Sequence, residues 1–254
     1  MGAKIERSPI TRIFLDSAAE VGTHLRLPRE EAHHVFRVLR ARRGDAIEVV
    51  DSRRRLFLAT LLGEGRAEIS EPLHAGEPAR GVVRIYQAVP RGGHMDLLVE
   101  KATELGADEI VPVLSERVLV GAGAVRRRLA RWRRIAVSAA RQSLQLRVPR
   151  VREPLRFPEA VREVQDGVLL HNVGRHAPIE WPVAKGGEAN LFVGPEGGWS
   201  EEEVAAARRG GLTLASLGPY RLRSETAGVV AVARARAAMD LAHPADDENG
   251  SCEV

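Results

Sequence analysis

From Val82 to Ala242, short apolar runs alternate with helical stretches, and few folds accept that pattern. Val82–Val89, Ile110–Leu114, Val168–His171, Leu191–Val193 and Leu212–Leu217 read as strands. They are apolar nearly throughout, so both faces must be covered, as in a parallel sheet between helices. Met95, Leu98, Ala102 and Leu105 recur at helical spacing up to Gly106. Further helices are expected over Arg126–Leu144, 200–209 and 225–242. Strand–helix alternation of this length predicts an α/β domain over 80–243.

The first 75 residues read differently. Thr11–Asp16, Ala46–Asp51, Leu56–Leu62 and Ala67–Glu71 are short strand-like runs. One helix, Arg29–Leu39, interrupts them, with Val35, Val38 and Leu39 as its apolar side. Mostly strand with one helix at this size predicts a small β-barrel domain over 1–75. Pro72, Gly76 and Pro78 mark a linker. Residues 244–254 are expected to form an acidic, disordered tail. No run of about 18 apolar residues occurs, so no membrane span is expected. The N-terminus lacks the apolar core of a secretory signal, and the single cysteine, Cys252, excludes an intrachain disulfide. A cytoplasmic chain follows as the expectation.

The net charge of +4 is unevenly spread. Residues 80–243 hold 25 bases against 18 acids, a net of +7, while the tail carries −4 and the first 79 residues +1. Only Lys4, Lys101 and Lys185 are lysines. Arginine forks match phosphates, so a polyanionic partner fits. A GC-rich genome explains the arginine-over-lysine choice equally well, but not the placement.

Three segments could carry chemistry. Leu191–Val193 runs into Gly194-Pro-Glu-Gly-Gly198, after which Ser200 and Glu203 form a capping box for a helix. Glycines at the C-terminal end of a buried strand let a ligand approach the backbone. The second segment, Ser216-Leu-Gly-Pro-Tyr-Arg-Leu-Arg-Ser-Glu-Thr-Ala227, sets Arg221 and Arg223 just before a helix, where the dipole disfavours cations. An anion or an RNA phosphate would explain them. The third is the helix 126–144. Arg127, Arg131, Arg134 and Arg141 line the side opposite Leu129, Trp132, Ala136, Ala139 and Ser143. A face of one sign suits RNA. Gly121-Ala-Gly123 lacks the third glycine of a dinucleotide fingerprint, His33-His34 diverge on a helix, and no cysteine–histidine cluster has zinc spacing, so no metal is expected. A nucleotide-binding reading of Gly194–Gly198 meets the absence of a following Lys-Ser/Thr.

These residues resemble a known family. Gly194-Pro-Glu-Gly-Gly198, Leu217-Gly-Pro-x-x-Leu-Arg-x-Glu-Thr-Ala227, Lys101-Ala-Thr-Glu-Leu-Gly106 with Ser115-Glu-Arg117, Gln142-Ser with Arg147-Val-Pro149, and His34-Val-Phe-Arg-Val-Leu-Arg40 with Gly44-Asp45 together resemble the RsmE family of 16S rRNA (uracil-N3)-methyltransferases, in the SPOUT superfamily. The resemblance runs from about Arg12 to Met239. It implies a PUA-like β-barrel for RNA and a SPOUT-type α/β domain threaded into a trefoil knot. It implies S-adenosylmethionine as cofactor, a homodimer packed through the alanine-rich helix Thr226–Ala242, and 16S rRNA or the assembled small ribosomal subunit as partner. Cofactor contacts would come from Leu170, His171 and Asn172; from Val193, Gly194, Glu196, Gly197 and Gly198; and from Ser216, Leu217, Gly218 and Leu222. Arg223 and Glu225 would be catalytic. Arg37, Arg40, Arg127, Arg131, Arg134, Arg141 and Arg221 would meet RNA. The chain departs from the family at Arg141-Gln-Ser-Leu-Gln145, at Tyr220, and at His94, where a lysine is common. Those departures motivate a rival reading, an RNA-binding module without the methylation activity.

Overall fold

A computed structural model describes residues 9–76, 81–171 and 187–242. The chain divides into two compact units, Met1–Pro78 with Ala140–Val148, and Ala79–Ala139 with Pro149–Val254. Asn172 and the acidic tail lie outside the described residues.

In the first unit, strands β1 (Arg12–Phe14), β2 (His24–Arg26), β3 (Ala46–Val50), β4 (Leu56–Gly63) and β5 (Arg66–His74) form one sheet in the order β1-β3-β4-β5-β2. Only β1 and β3 run parallel. Where a barrel was expected, β1 and β2 end the order and no pairing joins them among the described residues. Three register shifts between β4 and β5 bend the sheet instead. β2, short and polar, gives no apolar alternation to read. Ile13, Leu27, Val35, Ile47, Val49, Ala59, Leu61 and Ile69 form the core.

The expected helix splits into α1 (Arg29–His33) and a π turn over His34–Val38. The Leu39 N–H donates to the His34 carbonyl at 3.0 Å. That wider turn rotates the following residues off the face a 3.6-residue period assigns. Val35 is fully buried, whereas Val38 and Leu39, also expected inside, are 59% and 38% exposed beside exposed Arg37 and Arg40.

A buried carboxylate organises the loops of this sheet. Asp51 accepts from the backbone N–H groups of Ala19, Arg53 and Arg55. The Arg55 guanidinium grips it through Nε at 2.9 Å and Nη2 at 2.7 Å. Burial pushes the Asp51 carboxyl up, but the hydrogen bonds from Arg55, Ala19 and Arg53 outweigh it and hold it below the ordinary aspartate value. A lowered folded value means that Asp51 contributes its full stability above the usual carboxylate range and loses it as pH falls through the folded value. Asp51→Asn should cost about 2–3 kcal/mol at neutral pH and flatten the acid limb of stability against pH. Urea denaturation across pH 3–7 checks this, and an unchanged acid limb would refute it.

The second unit holds β6 (Val82–Ala88), β7 (Glu109–Leu114), β8 (Arg150–Val151), β9 (Leu155–Arg156), β10 (Gly167–Leu170), β11 (Glu188–Val193) and β12 (Leu212–Ala215). The order is β12-β10-β11-β6-β7-β8, with β9 also on β7, and every pair is parallel. Strand residues alternate between two faces. Tyr86, Ala88 and Phe192 join Phe157, Trp199 and Ala207 in a cluster with α4 (Phe157–Arg162) and α5 (Glu201–Arg209). Tyr86 stacks on Phe192 with ring centroids 4.4 Å apart. On the other face lie α2 (His94–Glu104) and α6 (Ser224–Ala242), with Gly228 of α6 pressed against Ile85, Gln87 and Leu98. α3 (Ala122–Gln142) joins α2 through Trp132, whose Nε1 donates to Asp96 at 3.0 Å. β8, β9 and α4 are too short to show a period in the sequence. Ion pairs fasten the N-terminal ends of the strands: Arg84 forks onto Glu188 at 2.7 and 3.1 Å, and Arg236 pairs with Asp108.

Candidate active site

The register brings the loops that matter to one edge. Leu170 of β10 stands opposite Val193 of β11 and Ala215 of β12, and Val193 stands opposite Gln87 of β6. The three segments expected to hold a cofactor therefore leave adjacent strands at the same height, at the sheet's C-terminal edge, where open α/β sheets bind ligands.

The loop 194–198 is the hub. Arg117, after β7, donates to the Gly197 carbonyl at 2.7 Å, and Arg221, after β12, donates to the Glu196 carbonyl at 3.0 Å. The Glu196 carboxylate accepts from the Arg91 N–H, after β6, at 2.8 Å. Ser224 Oγ donates to the Gly194 carbonyl at 2.5 Å and accepts from Gln87 Nε2 at 2.8 Å. Trp199 lies over Gly194 and donates to the Leu170 carbonyl at 3.0 Å, tying the hub to β10. The capping box forms as the sequence implies, with the Ser200 side chain accepting from Glu203 N–H and Glu203 accepting from Ser200 N–H. Its second oxygen accepts from the Glu116 N–H at 2.9 Å, a contact between distant segments that no local pattern announces.

Leu170 and Val193 are buried, His171 is half-buried and its N–H bonds the Ala215 carbonyl, and Leu217 and Leu222 are half-buried. Ser216 Oγ donates to the Gly218 carbonyl at 2.9 Å. Gly198 has φ +70° and Gly218 +137°, conformations that favour glycine. Glu196 and Gly197 are exposed. Backbone groups, half-buried leucines and a glycine loop exposed at Glu196 and Gly197 suit a nucleoside-like cofactor held through backbone contacts.

Arg223 is exposed, and its carbonyl accepts the Ala227 N–H that starts α6. Glu225 is not: its side chain is 6% exposed and its Oε1 lies 3.4 Å from His94 Nδ1. Sequence reasoning noticed His94 only as a departure and gave it no role. The Arg91 contact, made by a backbone N–H, and the Arg117 clamp, seen only as part of a family motif, were missed because neither shows in a local pattern.

The expected arginine face resolves unequally. Arg127 and Arg134 are exposed and have no acid partner among the described residues. Arg131 is exposed but paired with Asp96 at 2.8 Å. Arg141 is 18% exposed, pairs with Glu31 and donates to the Arg12 carbonyl at 2.9 Å, so it serves the first unit's packing rather than an open face. Burial pushes the Glu31 carboxyl up, with Arg141 opposing. A one-signed helix face says nothing of acids supplied by distant segments.

The comparisons with known proteins agree with this geometry. A family model described as an RNA methyltransferase domain matches residues 77–236, and one described as an RNA methyltransferase PUA domain matches 27–71. The ribosomal RNA small subunit methyltransferase E of Mycobacterium bovis is 31% identical over 231 residues, 86% of this chain and 88% of that one. The crystal structure of the enzyme of that name from Neisseria gonorrhoeae, bound to S-adenosylmethionine, superposes with a TM-score of 0.76 at 32% identity, covering 91% and 97% of the two chains. A Legionella pneumophila protein in complex with the same cofactor gives 0.82 at 28% identity, covering 91% and 98%. A PUA-like domain followed by a methyltransferase domain, both matched in order, places this chain in the ribosomal RNA small subunit methyltransferase E family.

Proposed function

We propose that the chain is an S-adenosylmethionine-dependent methyltransferase that methylates N3 of a uridine in 16S ribosomal RNA. The observation that carries this reading is the shared height of the Leu170, Val193 and Ala215 strand ends, which brings together the three loops expected to hold a cofactor. When bound, S-adenosylmethionine supplies an electrophilic methyl group. Leu170, His171, Val193–Gly198, Ser216–Gly218 and Leu222 would hold it, with Asn172 as a further expected contact. N3 lies on the Watson–Crick edge, so the uridine must be unpaired or flipped out. Arg223, exposed beside the hub, would stabilise charge on the uracil carbonyl oxygens as N3 loses its proton. Arg221 and the 81%-exposed ring of Tyr220 offer a phosphate contact and a stacking surface on the same loop. Arg37, Arg40, Arg127, Arg131 and Arg134 extend the RNA contacts on their respective units; Arg141 is engaged elsewhere.

The finer architecture belongs to the same reading. The expected domain bounds, 1–75 and 80–243, are part of it, although Ala140–Val148 groups with the first unit rather than the second. A trefoil knot is supported by the chain's path: β12 sits at the edge beyond β10, yet Ser224 returns to the middle of the sheet at Gly194 and Gln87. A homodimer is supported by α6. It buries Gly228, Ala231, Val232, Ala235 and Met239 within the chain and leaves Val230, Ala233 and Ala237 partly uncovered. No helix among the described residues is long and apolar enough to cross a membrane, and an rRNA substrate fits a cytoplasmic site of action.

Nucleoside mass spectrometry of rRNA from cells with and without the gene is the direct test. N3-methyluridine in the small-subunit RNA should vanish on deletion and return with the wild-type gene. Unchanged N3-methyluridine would overturn the assignment and favour an RNA-binding module without this chemistry.

A further inference from the structure

We propose that His94 takes the N3 proton during methyl transfer and that Glu225 acts through it. The proposal rests on the uridine-N3 reading and deepens it. Glu225 was expected to be catalytic, but its side chain is 6% exposed, too enclosed to meet a base carried on RNA. The His94 side chain, 46% exposed, stands between that carboxylate and solvent, with Nδ1 3.4 Å from Oε1.

Both partners flank the hub. His94 opens α2, three residues after Arg91, whose N–H is held by the Glu196 carboxylate. Glu225 follows Ser224, which is bonded to the Gly194 carbonyl. Neighbouring acids are committed elsewhere: Asp96 to Arg131 and Trp132, and Glu203 to Ser200 and Glu116. A carboxylate 3.4 Å from Nδ1 favours the tautomer that carries its proton there, leaving Nε2 its lone pair, and stabilises the imidazolium that forms. The balance is simple. The N3–carbon bond forms as the carbon–sulfur bond breaks, the sulfonium becomes a neutral thioether, the N3 proton passes to His94 Nε2, and the imidazolium later releases it to water.

The test uses the full-length protein with 16S RNA and S-adenosylmethionine. His94→Ala and His94→Gln should lower kcat about 100-fold, within the range for a lost general base. RNA KM and cofactor affinity by calorimetry should stay within about threefold. Added imidazole should restore part of the His94→Ala rate. Glu225→Gln should slow the wild-type background, yet the double variant with His94→Ala should fall no further than His94→Ala alone. Near-wild-type kcat in His94→Ala, or multiplicative losses in the double variant, would overturn the proposal. A wild-type chain that forms no N3-methyluridine would overturn the function reading beneath it, a result the variants cannot mimic.

Discussion

Gly197→Val is expected to abolish S-adenosylmethionine binding while leaving the fold intact. Gly197 is exposed, and its φ lies outside the left-handed region. The nearest atoms a Cβ there would meet belong to the Arg117 side chain, from 3.4 Å outward, which is ordinary contact. Nothing in the packing resists the substitution, so thermal stability should move by no more than about 2 °C. The branched side chain would instead occupy the space over the loop backbone, where the cofactor is proposed to approach. A loss of at least about 100-fold in affinity, roughly 2.7 kcal/mol, is expected by calorimetry. Affinity within threefold of wild type would place the cofactor elsewhere. Gly198→Val is the poorer experiment, because φ +70° there adds backbone strain to any steric effect.

How much of this was legible in the sequence depends on the range of the interaction. β6, β7, β10 and β11 announce themselves because double burial makes them apolar, and α2 and α5 because period and capping are local. The loops proposed to hold the cofactor are legible for the same reason: each follows a readable strand. Failures occur where the deciding partner is distant. Arg141 looks like one more base on a basic helix until Glu31 and Arg12 appear beside it. Glu225 looks like a helix-start carboxylate until His94 is found against it. Val38 and Leu39 fit a helical period that the π turn at His34 abandons. The chemistry of the site is set by such pairings across the chain, and a local pattern is blind to them.

Arg223→Ala separates catalytic from structural roles unusually well, because the two predict opposite signs. Its carbonyl accepts the first backbone bond of α6, so the guanidinium sits at the positive end of the helix dipole. Removing it should leave stability unchanged or raise it by about 0.3–1 kcal/mol. The carbonyl that caps the helix survives in alanine, so the loop geometry is kept. If the guanidinium stabilises the anionic uracil oxygens, the transition state loses a preorganised charge, and kcat should fall about 10²–10³-fold. Cofactor affinity should hold within about threefold, since the glycine loop and the half-buried leucines are untouched. A large loss of rate with an unchanged or higher melting temperature identifies a cation retained against the helix's own preference. Unaltered kcat would remove Arg223 from the reaction. A loss confined to RNA KM would make it a phosphate contact like that expected of Arg221, and the carbonyl-stabilising role would then be wrong.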